Sequence, residues 1–267
     1  MTRDRVGRFL SRLSIALSVI FSLVFVVQFD ICCAITAFPL WSWAIPGLLL
    51  AAAGWWEGSR RHALLAAIFW ILGVLFICEE GRSLCRGIFV NWPNSSFHGR
   101  RQKGMGLRIV SVNCSGGHLD AAREAAAYEP DILLLQESPT EDKLLRFEFW
   151  SPAAWKDYMS IRNMHRTEVG NLLHLLDDVP SNRPVIMGGD FNAPAYDRAF
   201  RMLNPVLRDA FREGGVGWGN SVMNEFVVQR YDQIWISRHF RAQTVMAKKT
   251  RSSDHRLVVA DLVLNDR

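Results

Sequence analysis

A strand-rich mixed α/β domain standing behind an apolar, helical amino-terminal segment is the architecture that this chain implies. Three observations point there. Long uncharged runs crowd the first 80 positions, short apolar runs bounded by Gly, Pro and polar residues begin at 107, and helix-like stretches separate those runs. A length of 267 residues accommodates one or two domains. The 49% hydrophobic content is high for a water-soluble protein and is spread unevenly.

Leu13 to Val27 is almost wholly apolar, Ile31 to Trp56 is 26 residues without a charge, and His62 to Cys78 is 17 without an acid, Lys or Arg. A spanning helix needs about 20 apolar residues. Trp41, Trp43, Trp55 and Trp56 suit the membrane–water boundary. Three such segments together predict a membrane anchor over 1–78, with helices at about 9–29, 33–56 and 62–78. Arg3, Arg5, Arg8 and Arg12 precede the first helix, Arg60 and Arg61 lie between the second and third, and the intervening loop has no Lys or Arg. Basic loops stay cytoplasmic, which places the amino terminus inside and everything after Cys78 on the outer, periplasmic or extracellular face. A cleaved signal peptide in place of the first helix keeps that orientation, and no small-residue cleavage site argues for one.

Net charge divides the same way. Residues 1–104 carry +6 and residues 105–267 carry −1, so the overall +5 belongs to the anchor. It is no argument that the outer domain binds nucleic acid. One local exception is the stretch from Arg238 to Arg256, with six basic residues and a single acid, Asp254. Five cysteines form no disulfide framework. A Cys78–Cys85 pair is conceivable on the outer face, and Cys114 reads as a buried thiol. Residues 79–106 hold Gly, Ser, Asn and the cluster Arg100, Arg101, Lys103 with no sustained period, and read as a linker.

The outer domain, 107–264, opens with "LRIVSVNC", a strand ending at Asn113. "HLDAAREAAAYEPD" is helical, and "DILLLQES" is a buried strand carrying Glu137 at its end. "LLRFEFW" alternates as a half-exposed strand, and 153–178 has helical periodicity. "RPVIMGGDFNAP" is a buried strand breaking at two glycines before Asp190, "RYDQIWIS" carries Asp232, and "RLVVADLVL" closes the domain.

Asn113, Glu137, Asp190, Asn192, Asp232, Asp254 and His255 all lie in or at the ends of apolar strands, where a carboxylate is costly unless paired or bound to a cation. Oxygen ligands of this kind suit a hard cation such as Mg²⁺. His255 titrates near neutrality, and Asp232 could orient it. His-Glu-x-x-His, Cys-x-x-Cys and Gly-x-Ser-x-Gly do not occur. His165 and His174, nine positions apart on the predicted helix, read as surface residues. "GGVGWGN" at 214–220 reads as a loop.

In this order, strand-Asn, Gln136-Glu137, "GGDFNAP", Arg-x-Asp and "SSDHRLVV" resemble the endonuclease/exonuclease/phosphatase family over about 107–264. The resemblance implies a deoxyribonuclease-I-like four-layer α/β sandwich, here shortened. It also implies a hydrolase acting on phosphodiesters or phosphomonoesters with Mg²⁺ or Mn²⁺. By the same resemblance Glu137, Asn113 and Asp254 are metal ligands. Asp190 and Asn192 position the attacking water and the phosphate, and His255 is the catalytic histidine paired to Asp232. The mechanism implied is in-line attack by water. Arg251, in the basic stretch, is a candidate substrate contact alongside Asn192. The substrate could be a lipid head group, nucleic acid or a small phosphodiester.

One departure stands out. Only 53 positions separate Glu137 from Asp190, and "LLRFEFW" leads to Trp150 and Ser151 where the family has a further phosphate-contacting residue. The competing reading is a catalytically impaired pseudoenzyme serving as a membrane-tethered binding module.

Overall fold

A computed structural model describes residues 3–28, 32–90, 95–116, 118–136, 152–224 and 228–265. The chain divides into two compact units, Met1–Arg82 and Ser83–Arg267.

The first unit is built from helices α1 (Arg3–Val27), α2 (Cys33–Thr36), α3 (Leu40–Trp56) and α4 (Arg60–Phe76). Its packing is inverted relative to a water-soluble bundle. The inward faces carry small or hydroxylated residues: Gly7, Ser11, Ser14 and Ser18 on α1, Gly47 and Ala51 on α3, Ala63, Ala66 and Gly73 on α4. Large apolar side chains such as Ile20, Leu23, Leu49, Leu65, Phe69 and Leu72 face outward. Close approach is the reason for the small residues: a Cβ at Gly47 would come within 2.1 Å of the Trp70 ring. One buried polar pair is joined across the helices. Ser14 Oγ donates to the Gly47 carbonyl at 2.7 Å and accepts from Trp70 Nε1 at 3.1 Å.

Among the described residues only α1 is by itself long and apolar enough to cross a membrane, or two segments if α4 and the helix after it count as one bent span. This corrects the expectation of three spanning helices. The predicted span at 33–56 is split because Pro39, at the start of α3, supplies no backbone N–H and disfavours a helical residue before it. The predicted span at 62–78 ends at Phe76, leaving 17 residues.

Helix α5 (Glu79–Phe89), which runs from the end of the first unit into the second, and α6 (Ser95–Gln102) stand where a linker was expected. Both helices draw their order from distant contacts. Arg86 donates from Nε to the Gly215 carbonyl at 2.7 Å and from Nη1 to the Arg212 carbonyl at 2.9 Å. Phe97 of α6 is fully buried beneath the Arg108 guanidinium.

Two sheets follow. Strands β1 (Gly106–Asn113), β2 (Ile132–Gln136), β6 (Phe240–Lys248) and β7 (Leu257–Leu264) form the first, in the order β2-β1-β7-β6. Strands β3 (Ile186–Asp190), β4 (Arg208–Asp209) and β5 (Asp232–Ile236) form the second, in the order β3-β5-β4. Strand alternation gives each sheet two apolar faces. Ile109 of β1, Val258 and Ala260 of β7, and Ile234 and Ile236 of β5 meet in one core between the sheets. Val110 and Val112 face the other way, onto Ala121 and Ala125 of α7 (Leu119–Ala126). Trp235 faces Phe200, Leu203 and Leu207, with Val169 from α8 (Pro152–Asp177) closing that side. Asp209 caps α9 (Ala210–Gly214), accepting from Phe211 N at 2.9 Å.

The predicted strand "LLRFEFW" and Glu137 lie outside the described residues. Part of the basic stretch 238–256 is strand β6, which buries Ala242, Val245 and Met246. His165, expected at the surface, is buried on α8, whereas His174 is exposed beside Asp177. Among the described residues Cys32, Cys78, Cys85 and Cys114 are free thiols, and Cys114 is buried as expected.

Candidate active site

The register of the second sheet sets Asp190 directly opposite Asp232, on neighbouring strands β3 and β5. A Cβ at Gly188 would sit 2.8 Å from the Leu134 side chain of β2, so glycine here lets the two sheets approach without displacing that side chain. Asn113, at the end of β1, then reaches across: its Nδ2 donates to Asp190 Oδ2 at 3.1 Å.

His255 enters from the turn before β7. Its Nδ1 donates to Asp232 Oδ2 at 2.8 Å, and its Nε2 lies 3.9 Å from Asp190 Oδ2. One imidazole therefore stands between two carboxylates. Burial alone pushes the imidazole down, but the hydrogen bond to Asp232 and the charges of Asp232, Asp190 and Asp254 outweigh it, and His255 is raised to about 9. At neutral pH it is an imidazolium. Asp190 is shifted upward, first by burial and then by the charge of Asp232. The Tyr231 hydroxyl is pushed up to about 12 by burial and by Asp190.

Of the remaining expected residues, Asn192 contacts this pair and the charge of Asp254 acts on it. Asn192 is exposed, in a left-handed conformation with φ of 50°, and its backbone N–H donates to Asp190 Oδ1 at 2.8 Å. Asp254 and Asn113 meet at Ser115. The Ser115 N–H donates to Asn113 Oδ1 at 2.8 Å, and its Oγ donates to Asp254 Oδ1. Arg251 is exposed, and its backbone N–H donates to both oxygens of Glu124 on α7, at 3.1 and 2.9 Å. These bonds hold its loop against α7.

Three serines that the sequence reading passed over hold the frame. Ser115 follows Asn113 by two positions, the spacing of an Asx turn, which was a usable signal. Ser253 Oγ donates to the Asn113 carbonyl at 2.7 Å and accepts from the His255 N–H at 3.0 Å, tying β1 to the histidine turn. Ser221 Oγ accepts from the Tyr231 and Asp232 N–H groups at 3.2 and 3.1 Å. No motif marks Ser221. Asn224 adds support by donating from Nδ2 to the Thr250 and Ser253 carbonyls at 2.6 and 3.0 Å.

Among the described residues no group of three or more His, Cys, Asp or Glu is arranged to hold a metal ion. Gln136, whose register partner is Asn113, is the last described residue before Glu137. A buried Asp232 Oδ1 has no hydrogen-bond partner among the described residues.

An endonuclease/exonuclease/phosphatase family protein of Bacteroides thetaiotaomicron is 18% identical over 39% of this chain and 46% of its own, with a TM-score of 0.36. A mannosyl-6-phosphatase of the same organism is 20% identical over 43% of this chain and 48% of its own, with a TM-score of 0.33. The human Nocturnin catalytic domain with bound sulfate is 15% identical over 61% of this chain and 94% of its own, with a TM-score of 0.43. The chain thus spans about half the length of the first two solved structures. A search of the curated proteins finds no match. Residues 110–255, more than half of the sequence, match the Endonuclease/Exonuclease/phosphatase family, and the chain belongs to that family.

Proposed function

We propose that the protein is a membrane-anchored, divalent-cation-dependent phosphoesterase that cleaves a phosphodiester or phosphomonoester by in-line attack of water. The observation carrying this reading is the Asp232–His255–Asp190 line, with Asn113 and the Asn192 backbone N–H fixed on the last carboxylate. The two helix-flanked sheets fit a shortened deoxyribonuclease-I-like four-layer sandwich.

Each residue has a role that its surroundings suit. Asp232 holds the Nδ1 proton of His255 and keeps the ring charged, so Nε2–H is the donor for a phosphate oxygen on which charge develops. His255 is then an electrostatic stabiliser or acid rather than a base at neutral pH. Asp190, buried and shifted upward, is the group suited to orient water and take its proton. Asn113 and the Asn192 N–H prevent its carboxylate from rotating, and the exposed Asn192 amide is placed to meet the phosphate. Asn113, Asp254 and Glu137 supply hard oxygens that fit Mg²⁺ or Mn²⁺. When bound, such an ion neutralises charge on the phosphate oxygens.

The inverted packing of the first unit supports its burial in a bilayer. Large apolar side chains point outward while Ser14 and the Trp70 N–H satisfy each other inside, as helices in lipid require. We read α1 as the spanning helix, with α3 and α4 packed along it in the same apolar slab. The positions of Arg3, Arg5 and Arg8, before the apolar stretch of α1, favour a cytoplasmic amino terminus and an outer phosphoesterase domain.

Full-length protein in lipid nanodiscs, assayed against bis-p-nitrophenyl phosphate and p-nitrophenyl phosphate with Mg²⁺, Mn²⁺ or chelator, tests the activity. Cation-dependent release that is lost in His255→Ala supports an enzyme. Equal rates in the two proteins would leave the pseudoenzyme reading, a tethered binding module, as the better one. A lipid head group, nucleic acid or a small phosphodiester are the natural substrates to test next.

A further inference from the structure

We propose that α5 is an interfacial membrane helix belonging to the phosphoesterase unit, seating Leu84, Cys85, Ile88 and Phe89 at the boundary between lipid head groups and acyl chains. At 3.6 residues per turn these four side chains fall within one arc of about 140°. Each is exposed, Ile88 by 77% and Phe89 by 85%, the latter the most exposed large apolar side chain among the described residues. Four apolar side chains side by side in water are an interaction surface rather than an ordinary helix face.

The opposite face of α5 is fixed to its own domain. The Ser83 carbonyl accepts from the Gly217 N–H at 3.0 Å. Arg86 reaches four carbonyls at the end of α9, those of Phe211, Arg212, Glu213 and Gly215, at 2.7 to 3.2 Å. The helix cannot turn its apolar arc inward without breaking all of these bonds. Whatever α5 touches, the domain is carried with it.

Lipid is the occupant because of where α5 begins. The apolar helix α4, read above as lying in the bilayer, ends at Phe76, and α5 starts at Glu79. Three chain steps span about 10 Å at most, so α5 begins at the membrane surface if that reading holds. A helix with one apolar arc and a polar, tied-down reverse is suited to lie in the plane of that surface.

Single-cysteine variants of the full chain, with the native cysteines replaced by serine, would carry bimane at Phe89→Cys or at Ile20→Cys of α1. Both would be reconstituted in vesicles containing acyl-brominated phosphatidylcholine, and aqueous iodide would be the second quencher. Bromolipid quenching at both positions, with iodide protection at Phe89→Cys, is the expected result. Quenching at Ile20→Cys alone would overturn the role of α5 while the bundle stays in the membrane. Quenching at neither would overturn both readings. A Phe89→Cys probe shielded from iodide yet untouched by bromolipid would indicate a protein partner and also overturn the proposal. Ile88→Cys repeats the measurement should Phe89→Cys reduce the yield.

Discussion

His255 Nδ1 and Asp232 Oδ2 stand 2.8 Å apart, the histidine in the turn before β7 of one sheet and the aspartate at the start of β5 of the other. The contact converts an imidazole that burial would keep neutral into one that holds its proton to about 9. Removing the ring should therefore remove a charge from the site. His255→Ala should lower kcat by about 10²–10⁴-fold, the usual worth of a positioned proton donor or acceptor. Asp232→Asn should lose nearly as much with the ring still present, because the imidazolium is no longer stabilised. Steady-state rates on the nitrophenyl phosphate esters proposed above decide the matter; an active Asp232→Asn protein would remove the pair from the mechanism.

The same pair makes a prediction about stability. The folded protein holds the His255 proton up to about 9, whereas the ordinary histidine value is 6.5. Between those values the folded state binds more protons than the unfolded one, so this contribution is full below about 6.5 and is lost as pH rises towards 9. With chelator present, the melting temperature should decline across that window, and His255→Gln should flatten the decline. Parallel slopes in parent and variant would show that the pair contributes nothing.

Asp190 is burdened in the opposite sense. Burial and the Asp232 charge disfavour its ionised form, so a neutral side chain of the same shape relieves a cost at neutral pH. Asp190→Asn should raise the melting temperature of the cation-free protein while reducing turnover by at least about 10². A variant both inactive and less stable would indicate that its hydrogen bonds to Asn113 and Asn192, rather than its charge, govern the site.

Cation binding provides a fourth test. Mg²⁺ at about 100 times its Kd should stabilise the fold by roughly 2.7 kcal/mol through mass action. Glu137→Gln and Asp254→Asn should each weaken that shift, whereas His174→Ala, on the exposed side of α8, should leave it intact. A melting temperature indifferent to Mg²⁺ and Mn²⁺ in the parent protein would rule out the proposed ligand set.

Much of the domain could be read from local pattern. β1, β2, β3, β5 and β7 lie within the apolar runs that predicted them, because alternation at a period of two is a property of neighbouring residues. Family membership was legible in "GGDFNAP" and "SSDHRLVV" for the same reason: each motif is short, contiguous and chemically specific. The helices α5 and α6 were not read from the sequence. In α5 the period of Leu84, Cys85, Ile88 and Phe89 is short and set among Gly, Ser and charged residues, and contacts such as Arg86 with the α9 carbonyls, 125 to 129 positions away, hold the helix in place. The span lengths at the amino terminus were misjudged because composition counts apolar residues without registering that Pro39 interrupts the backbone ladder. At the site, the identities of Asn113, Asp190, Asp232 and His255 were present in the chain from the outset. Their juxtaposition follows from strand register and from sheet packing over glycine. Those contacts join residues 23 and 77 positions apart, and no local period encodes them.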